Sequence, residues 1–155
     1  MKIGHQSRRI HIDADTRTWG ITRMAAKLDT GANVSAIHVD TVEELPDGRV
    51  RFDVALNRDA SRSRVIEADV VRIARIKPSH GVVQERFIVR TIAVIGDRSM
   101  EVEFSLVCRK RMLRRILLGR LALSGVIVVD PSRAYLLGEP ESRKRRTTTQ
   151  KQEES

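Results

Sequence analysis

The sequence contains few aromatic residues and a single cysteine. Phe, Trp and Tyr make up only 3% of its 155 residues, which argues against a protein that binds single-stranded nucleic acid by base stacking. The lone Cys108 excludes a disulfide framework and any zinc site that requires two thiolates. Because unpaired cysteines are typical of reducing compartments, we expect a cytoplasmic protein.

Long apolar runs are also absent. No apolar stretch follows the basic residues near the start, and 18 consecutive apolar residues occur nowhere, so we expect neither an export signal nor a membrane span. The length suits one domain and is too short for a catalytic cleft between two full-sized duplicated lobes. A site that needs two lobes must therefore take the second from another chain.

Positive charge is in excess, with a formal net charge of +9. Such a surface attracts nucleic acid or an acidic polypeptide. The final stretch, residues 139–155, has no Leu, Ile, Val or aromatic residue, so we expect a disordered charged tail after a folded domain of residues 1–138. Removing this tail lowers the net charge only to +8, which assigns the excess to the folded part.

Alternation of apolar and polar residues predicts an all-β fold, a barrel or a sandwich. The pattern is clear in residues 22–28, 50–56 and 100–106, where one face of each strand would point inward. Further strands are predicted at 65–76, from about Val83 to Ile95, at 126–129 and at 134–137, with hairpin turns near Gly96 and at His80-Gly81. Helical signal is limited to residues 109–115 and to 120–124, before Gly125.

The segment Ala26-Lys27-Leu28-Asp29-Thr30-Gly31-Ala32 is the most informative part of the chain. A strand that ends in Asp-Thr-Gly-Ala places the Asp29 carboxylate at the exposed end of a rigid element, and Gly31 permits a close backbone approach. Taken alone, the tripeptide is more typical of an Asx turn than of a catalytic site.

These residues resemble the aspartic protease signature, and residues 116–120, Ile-Leu-Leu-Gly-Arg, resemble the apolar-apolar-Gly-Arg segment of retropepsins. The resemblance implies a single retropepsin-like barrel lobe with one or two short helices and a flap hairpin. It is strongest to the bacterial and archaeal branch often labelled putative ATP-dependent zinc proteases and associated with ATP-grasp ligases that modify ribosomal proteins. The residues that carry it further are Ser35-Ala36-Ile37-His38, Arg86 to Thr91, Met112, Leu117 to Arg120, Val129-Asp130-Pro131 and Tyr135-Leu136-Leu137.

Three features depart from these patterns. Retroviral members carry an acidic residue after Asp-Thr-Gly-Ala that pairs with the arginine of Gly-Arg, whereas this chain has Asn33, which offers Arg120 at most a neutral hydrogen bond. The histidines and Cys108 lack the spacing of metal ligands, and no Gly-x-x-x-x-Gly-Lys loop is present. We therefore expect no metal and no cofactor.

The resemblance implies an aspartic peptidase, in which two carboxylates share one proton and activate water. Because the chain has one Asp-Thr-Gly, we expect a homodimer in which Asp29 of each subunit faces its mate across a twofold axis. Asp29 is the catalytic candidate and Ala32 completes the supporting motif. Thr30 would support the pair through its hydroxyl, and Gly31 would offer backbone acceptors to the bound chain.

Other positions have weaker assignments. The hairpin tip at His80-Gly81 is either a flap over the substrate or an ordinary mobile hairpin. His38 matches the family pattern, but a lone histidine in a half-buried strand is more often structural. Gly119 and Arg120 are expected to be structural, because an arginine in apolar surroundings usually anchors the fold through several donors.

Six positive side chains lie in the twelve residues 109–120, without an acid among them. If they flank the cleft, their field would attract acidic substrates, and the association with glutamate-adding ligases implies processing of glutamate-rich tails. Two alternatives stay open: a retropepsin-like binding module without catalysis, and a basic β-domain that binds ribosomal RNA or protein.

Overall fold

Strands dominate the computed structural model, which describes residues 2–4, 6–12, 19–56, 61–77, 81–108 and 114–132. One short helix interrupts them near the end of this part of the chain. In chain order the elements are β1 (Lys2–Gly4), β2 (Gln6–Ile12), β3 (Ile21–Leu28), β4 (Ser35–His38), β5 (Thr41–Glu44), β6 (Arg49–Ala55), β7 (Ser63–Ile76), β8 (Gln84–Ile95), β9 (Arg98–Val107), β10 (Ile116–Leu118), α1 (Arg120–Leu123) and β11 (Val128–Asp130).

Six of these strands close into a barrel. The pairing runs in the order β2, β3, β10, β4, β9 and β8, and β8 then pairs back onto β2. A closed ring satisfies the backbone groups of strands that would otherwise lie at an edge. The predicted all-β barrel lobe with a short helix is confirmed.

The sheet continues beyond the barrel through β7, β6 and β5. The first half of the 14-residue β7 pairs with β6. Its second half, from Val70, pairs with β8, and the register of that pairing shifts between Val70 and Arg72. β7 and β8 thus form the long hairpin predicted from the sequence. A separate pair is made by β1 and β11, which run parallel.

The core is built from the inward faces of the alternating strands. Val50, Phe52 and Val54 of β6 are fully or almost fully buried, as the period-2 pattern predicts. Trp19 packs edge-on against Phe52, with 5.3 Å between ring centroids, and lies 6.1 Å from Phe104. Three of the five aromatic residues of the chain therefore meet in one cluster.

Most of the predicted elements are found where the sequence places them. Gly96 adopts a left-handed φ of 62° in the β8–β9 turn, and Gly125 follows α1 with a φ of 76°. The proposed helix at 109–115 is wrong at its end, because Arg114 and Arg115 lie in a bend, and residues 109–113 lie outside the described part. The strand at 134–137 and the tail at 139–155 also lie outside it. Among the described helices none is long and apolar enough to cross a membrane.

Candidate active site

Asp29 directly follows β3, whose last residue, Leu28, is fully buried. Its backbone N–H donates to the carbonyl of Leu118 in β10 at 2.8 Å, so the strand pairing carries on into the motif. The carboxylate Oδ1 accepts a 2.9 Å hydrogen bond from the N–H of Gly31, and the side chain remains 28% exposed. Two central strands thus hold a partly exposed carboxylate in a defined orientation.

The Gly-Arg segment lies directly against this loop. The Arg120 N–H donates to the carbonyl of Ala32 at 2.8 Å, and the Leu121 N–H donates to that of Asn33 at 3.1 Å. The Arg120 guanidinium donates through Nη1 to the carbonyls of Thr30 at 3.0 Å and Gly31 at 3.3 Å. Two segments about ninety residues apart in sequence are therefore joined through the backbone of the motif.

Gly119 makes this close approach possible. Its N–H donates to the buried Ser35 hydroxyl at 3.0 Å. A Cβ at position 119 would lie 2.7 Å from the Asn33 carbonyl oxygen and 2.8 Å from the Val34 carbonyl carbon. Its φ of −88° is open to any residue, so the requirement for glycine is steric. The contact of Ser35 with Gly119 was missed by sequence reasoning, since nothing in either residue type predicts it.

Arg120 uses backbone carbonyls where retroviral members use an acidic side chain. The described contacts of its guanidinium are with Thr30 and Gly31. Asn33 contacts the Gly-Arg segment through its backbone carbonyl, which accepts from the Leu121 N–H. A carbonyl oxygen has two lone pairs, so Gly31 retains an acceptor site for a bound chain. The loop is thereby held by an arginine without the charge pair of the retroviral members.

Lys27 is a site residue that sequence reasoning did not single out. It stands two positions before Asp29, and side chains two apart on a strand share a face. Its Nζ lies 3.7 Å from Asp29 Oδ2, the oxygen opposite the one bonded to Gly31, and its side chain is 43% exposed. The alternation that predicted β3 was the signal that could have found it.

His38 lies at the other end of β4. The backbone N–H of His38 donates to the carbonyl of Arg115. The backbone N–H of Asp29 donates to the carbonyl of Leu118, three residues later in the chain. At about 3.3 Å per residue, this separates His38 from the loop by roughly 10 Å of strand. The ring is almost fully buried, and its Nε2 lies 3.2 Å from Asp40 Oδ1. This placement favours a structural role over a role in the site.

The hairpin tip between β7 and β8 is only partly described. Gly81 is exposed and has a φ of 138°, a conformation that favours glycine, while His80 lies outside the described residues. Val82 and Val83 beside it are exposed by 84% and 48%. An exposed apolar tip suits either a flap or a contact with another chain.

The basic segment is likewise seen only at its end. Residues 109–113 lie outside the described part, Arg114 and Arg115 are half-buried, and Arg120 points its guanidinium at the motif carbonyls. The described residues include no group of three or more His, Cys, Asp or Glu that could hold a metal ion. Among the described contacts, Lys27 places a positive charge beside the Asp29 carboxylate.

A charged network lies on the barrel surface across β7, β8 and β9. Glu103 accepts from Arg90 at 2.8 Å and from Arg72 at 3.1 Å, and Arg90 also lies 3.4 Å from Glu101. The hydrogen bond from Arg90, assisted by Arg72, holds the pKa of Glu103 below its usual value despite partial burial. The same bond raises the pKa of Arg90.

Several curated proteins are similar to this chain over 124 residues, or 77% of its length. They include proteins named "Probable alpha-L-glutamate ligase" from Shewanella halifaxensis, Shewanella pealeana and Desulfotalea psychrophila, at 31%, 32% and 33% identity. The match covers only 27% of each of these proteins. The chain therefore corresponds to about a quarter of their length.

A solved structure and a family model are also similar. A Legionella pneumophila protein of unknown function superposes with a TM-score of 0.70 at 25% identity, covering 87% of this chain and 96% of that one. Residues 17–140 match the family model described as retropepsin-like aspartic endopeptidase RimB. That range holds both the Asp29 motif and the Gly-Arg segment joined to it, and the chain belongs to the RimB-like family of retropepsin-like proteins.

Proposed function

We propose that this protein is an aspartic peptidase that acts as a homodimer and hydrolyses acidic, glutamate-rich polypeptide tails. The observation that supports it most is the Asp29 carboxylate, which is 28% exposed and oriented by the Gly31 N–H at the end of a central strand. Membership of the RimB-like family is consistent with this chemistry.

Hydrolysis by this route needs two carboxylates. Like charges at hydrogen-bond distance do not both ionise, so the pair holds one proton between them. The ionised member removes a proton from a water molecule that attacks the scissile carbonyl, and the protonated member donates to the carbonyl oxygen. Because each chain carries one Asp-Thr-Gly motif, Asp29 of a second subunit supplies the other carboxylate.

The loop geometry suits this role. The Gly31 N–H fixes one carboxylate oxygen, and Arg120 holds the carbonyls of Thr30 and Gly31, so the carboxylate would need little reorganisation during the reaction. The Thr30 hydroxyl supports the paired loops in the proposed dimer, and Ala32 completes the turn. Gly81 belongs to the proposed flap, which the sequence extends to His80, outside the described residues.

The substrate proposal rests on charge and on the relatives. The net charge of +9 favours an acidic partner, and the similar proteins carry names that refer to ligation of glutamate. A peptidase that removes glutamates would oppose such a ligase, and we place both in the cytoplasm, where the free, exposed Cys108 remains reduced.

Peptide cleavage by the wild type and by Asp29→Asn tests the proposal. Mass spectrometry of a glutamate-rich peptide should show products with the wild type and none with the variant, while light scattering shows a dimer for both. Asp97→Asn is the matched control, because Asp97 is an 84% exposed turn residue, and it should cleave like the wild type. Cleavage by Asp29→Asn, or full activity in a strict monomer, would refute the assignment.

A further inference from the structure

Lys27 faces the same side of β3 as Asp29. Ala26 and Leu28, on either side of it, are buried in the barrel, so the strand turns Lys27 outward. Its ammonium lies 3.7 Å from Asp29 Oδ2, while Oδ1 is occupied by the Gly31 N–H. A positive charge thus stands beside the carboxylate oxygen that Gly31 leaves open.

The pair is loose enough for the lysine to take another partner. Both side chains are partly exposed, at 43% and 28%, and exposed ion pairs hold their geometry only weakly. An ammonium carries three donors on a flexible stem, so it can bind a second carboxylate while it remains near the first. A substrate acid next to the reacting bond is the anion that would come closest to it.

We propose that Lys27 determines substrate specificity by binding the side-chain carboxylate of a glutamate beside the scissile bond. This inference rests on the proposed aspartic peptidase function and identifies the residue that recognises the acidic substrate. A twofold axis would place one Lys27 on each side of the bond, because each Asp29 brings its own lysine. The site therefore selects peptides that carry glutamate on both sides of the cleaved bond.

Paired peptides and charge variants test this inference. One peptide has glutamate on both sides of the scissile bond, and its partner has glutamine there, which keeps the shape and removes the charge. We expect the wild type to favour the glutamate peptide by about tenfold in kcat/KM. Lys27→Met should bring that ratio close to one, Lys27→Arg should retain most of it, and Lys27→Glu should reverse it toward a lysine-flanked peptide.

Arg98→Met is the matched control for lost positive charge. Arg98 is 57% exposed and stands six residues before Phe104, the β9 residue that pairs with Ser35, and so lies about 20 Å of strand from the site. This variant should keep the wild-type ratio. If Lys27→Met lowers cleavage of both peptides by the same factor, Lys27 acts only on Asp29 and the inference is wrong.

Binding to the Asp29→Asn variant separates this inference from the proposed function. Calorimetry with the two peptides should show tighter binding of the glutamate peptide, and adding Lys27→Met should abolish the difference. If the wild type shows no cleavage and the Lys27-dependent preference in binding persists, the peptidase proposal fails, while recognition of the glutamate side chain by Lys27 is retained. A preference that survives Lys27→Met overturns the inference whether or not the protein cleaves.

Discussion

Gly119→Ala is the substitution whose effect follows most directly from the structure. The added Cβ would lie 2.7 to 2.9 Å from three backbone atoms of Asn33 and Val34. Ordinary contacts between such atoms are near 3.5 Å, so the two segments must separate by roughly 0.5 to 1 Å. Neither side can yield by rotating a side chain, because the atoms it meets belong to the backbone.

The expected cost has two parts. Overpacking of this kind costs about 1 to 3 kcal/mol, and at this chain length each kcal/mol lowers Tm by about 2 to 4 °C. The shift also displaces the hydrogen bonds that the backbone N–H groups of Arg120 and Leu121 donate to the loop that carries Asp29. Since a misplacement of about 1 Å at a catalytic group can cost about 100-fold in rate, peptide cleavage should fall by about that factor.

Thermal unfolding and peptide cleavage, measured on the same samples, check this prediction. Gly48→Ala is the control, because no atom lies within 4 Å of its added Cβ and its φ of 79° confines the cost to backbone strain of about 1 kcal/mol. It should lose some stability and no activity. A Gly119→Ala protein with wild-type Tm and wild-type cleavage would show that the contact between the two segments does not require glycine and would refute the prediction.

Two further predictions concern charged contacts. Glu103→Gln should lower the free energy of unfolding by about 0.5 to 1 kcal/mol at pH 7. Because the pKa of Glu103 is lowered in the folded state, the stability difference should be present above about pH 5 and should disappear as the pH falls through the lowered pKa. Denaturant unfolding of both proteins between pH 2 and pH 7 measures it, and a gap that is constant with pH would contradict the pairing with Arg90 and Arg72. Arg120→Met should lower the free energy of unfolding by about 1 kcal/mol and the cleavage rate by about tenfold, because the carbonyls of Thr30 and Gly31 lose their donor. Arg120→Lys should give intermediate values of both. Equal cleavage by all three proteins would show that these bonds do not position the Asp29 loop.

The strands with one buried face could be predicted from the sequence, because burial imposes a period of two on β3, β6 and β9. β2 escaped prediction because charged residues interrupt its pattern. β10 was expected only from the family resemblance, because three residues are too few to show a period of two. The closure of β2 onto β8 joins segments more than eighty residues apart, and no local pattern reports such a pairing.

The candidate site, like the fold, could be predicted only in part from the sequence. Asp29 and Gly31 belong to a recognisable motif, and the approach of Gly119 and Arg120 followed from the family resemblance. The target of the Arg120 guanidinium did not, because Asn33 replaces the usual acid and the arginine bonds to backbone carbonyls that all sequences share. Lys27 was overlooked because a lysine on a strand is ordinarily a solvated surface residue.

The central claim is that two Asp29 carboxylates from two chains form one site, and subunit mixing tests it most directly. Wild type and Asp29→Asn are mixed in varying proportion at constant total concentration, allowed to exchange subunits, and assayed on a glutamate-rich peptide. If both carboxylates are required, activity follows the square of the wild-type fraction, and an equal mixture retains about a quarter of full activity. An equal mixture that retains about half would show that each chain works alone and would contradict the shared site.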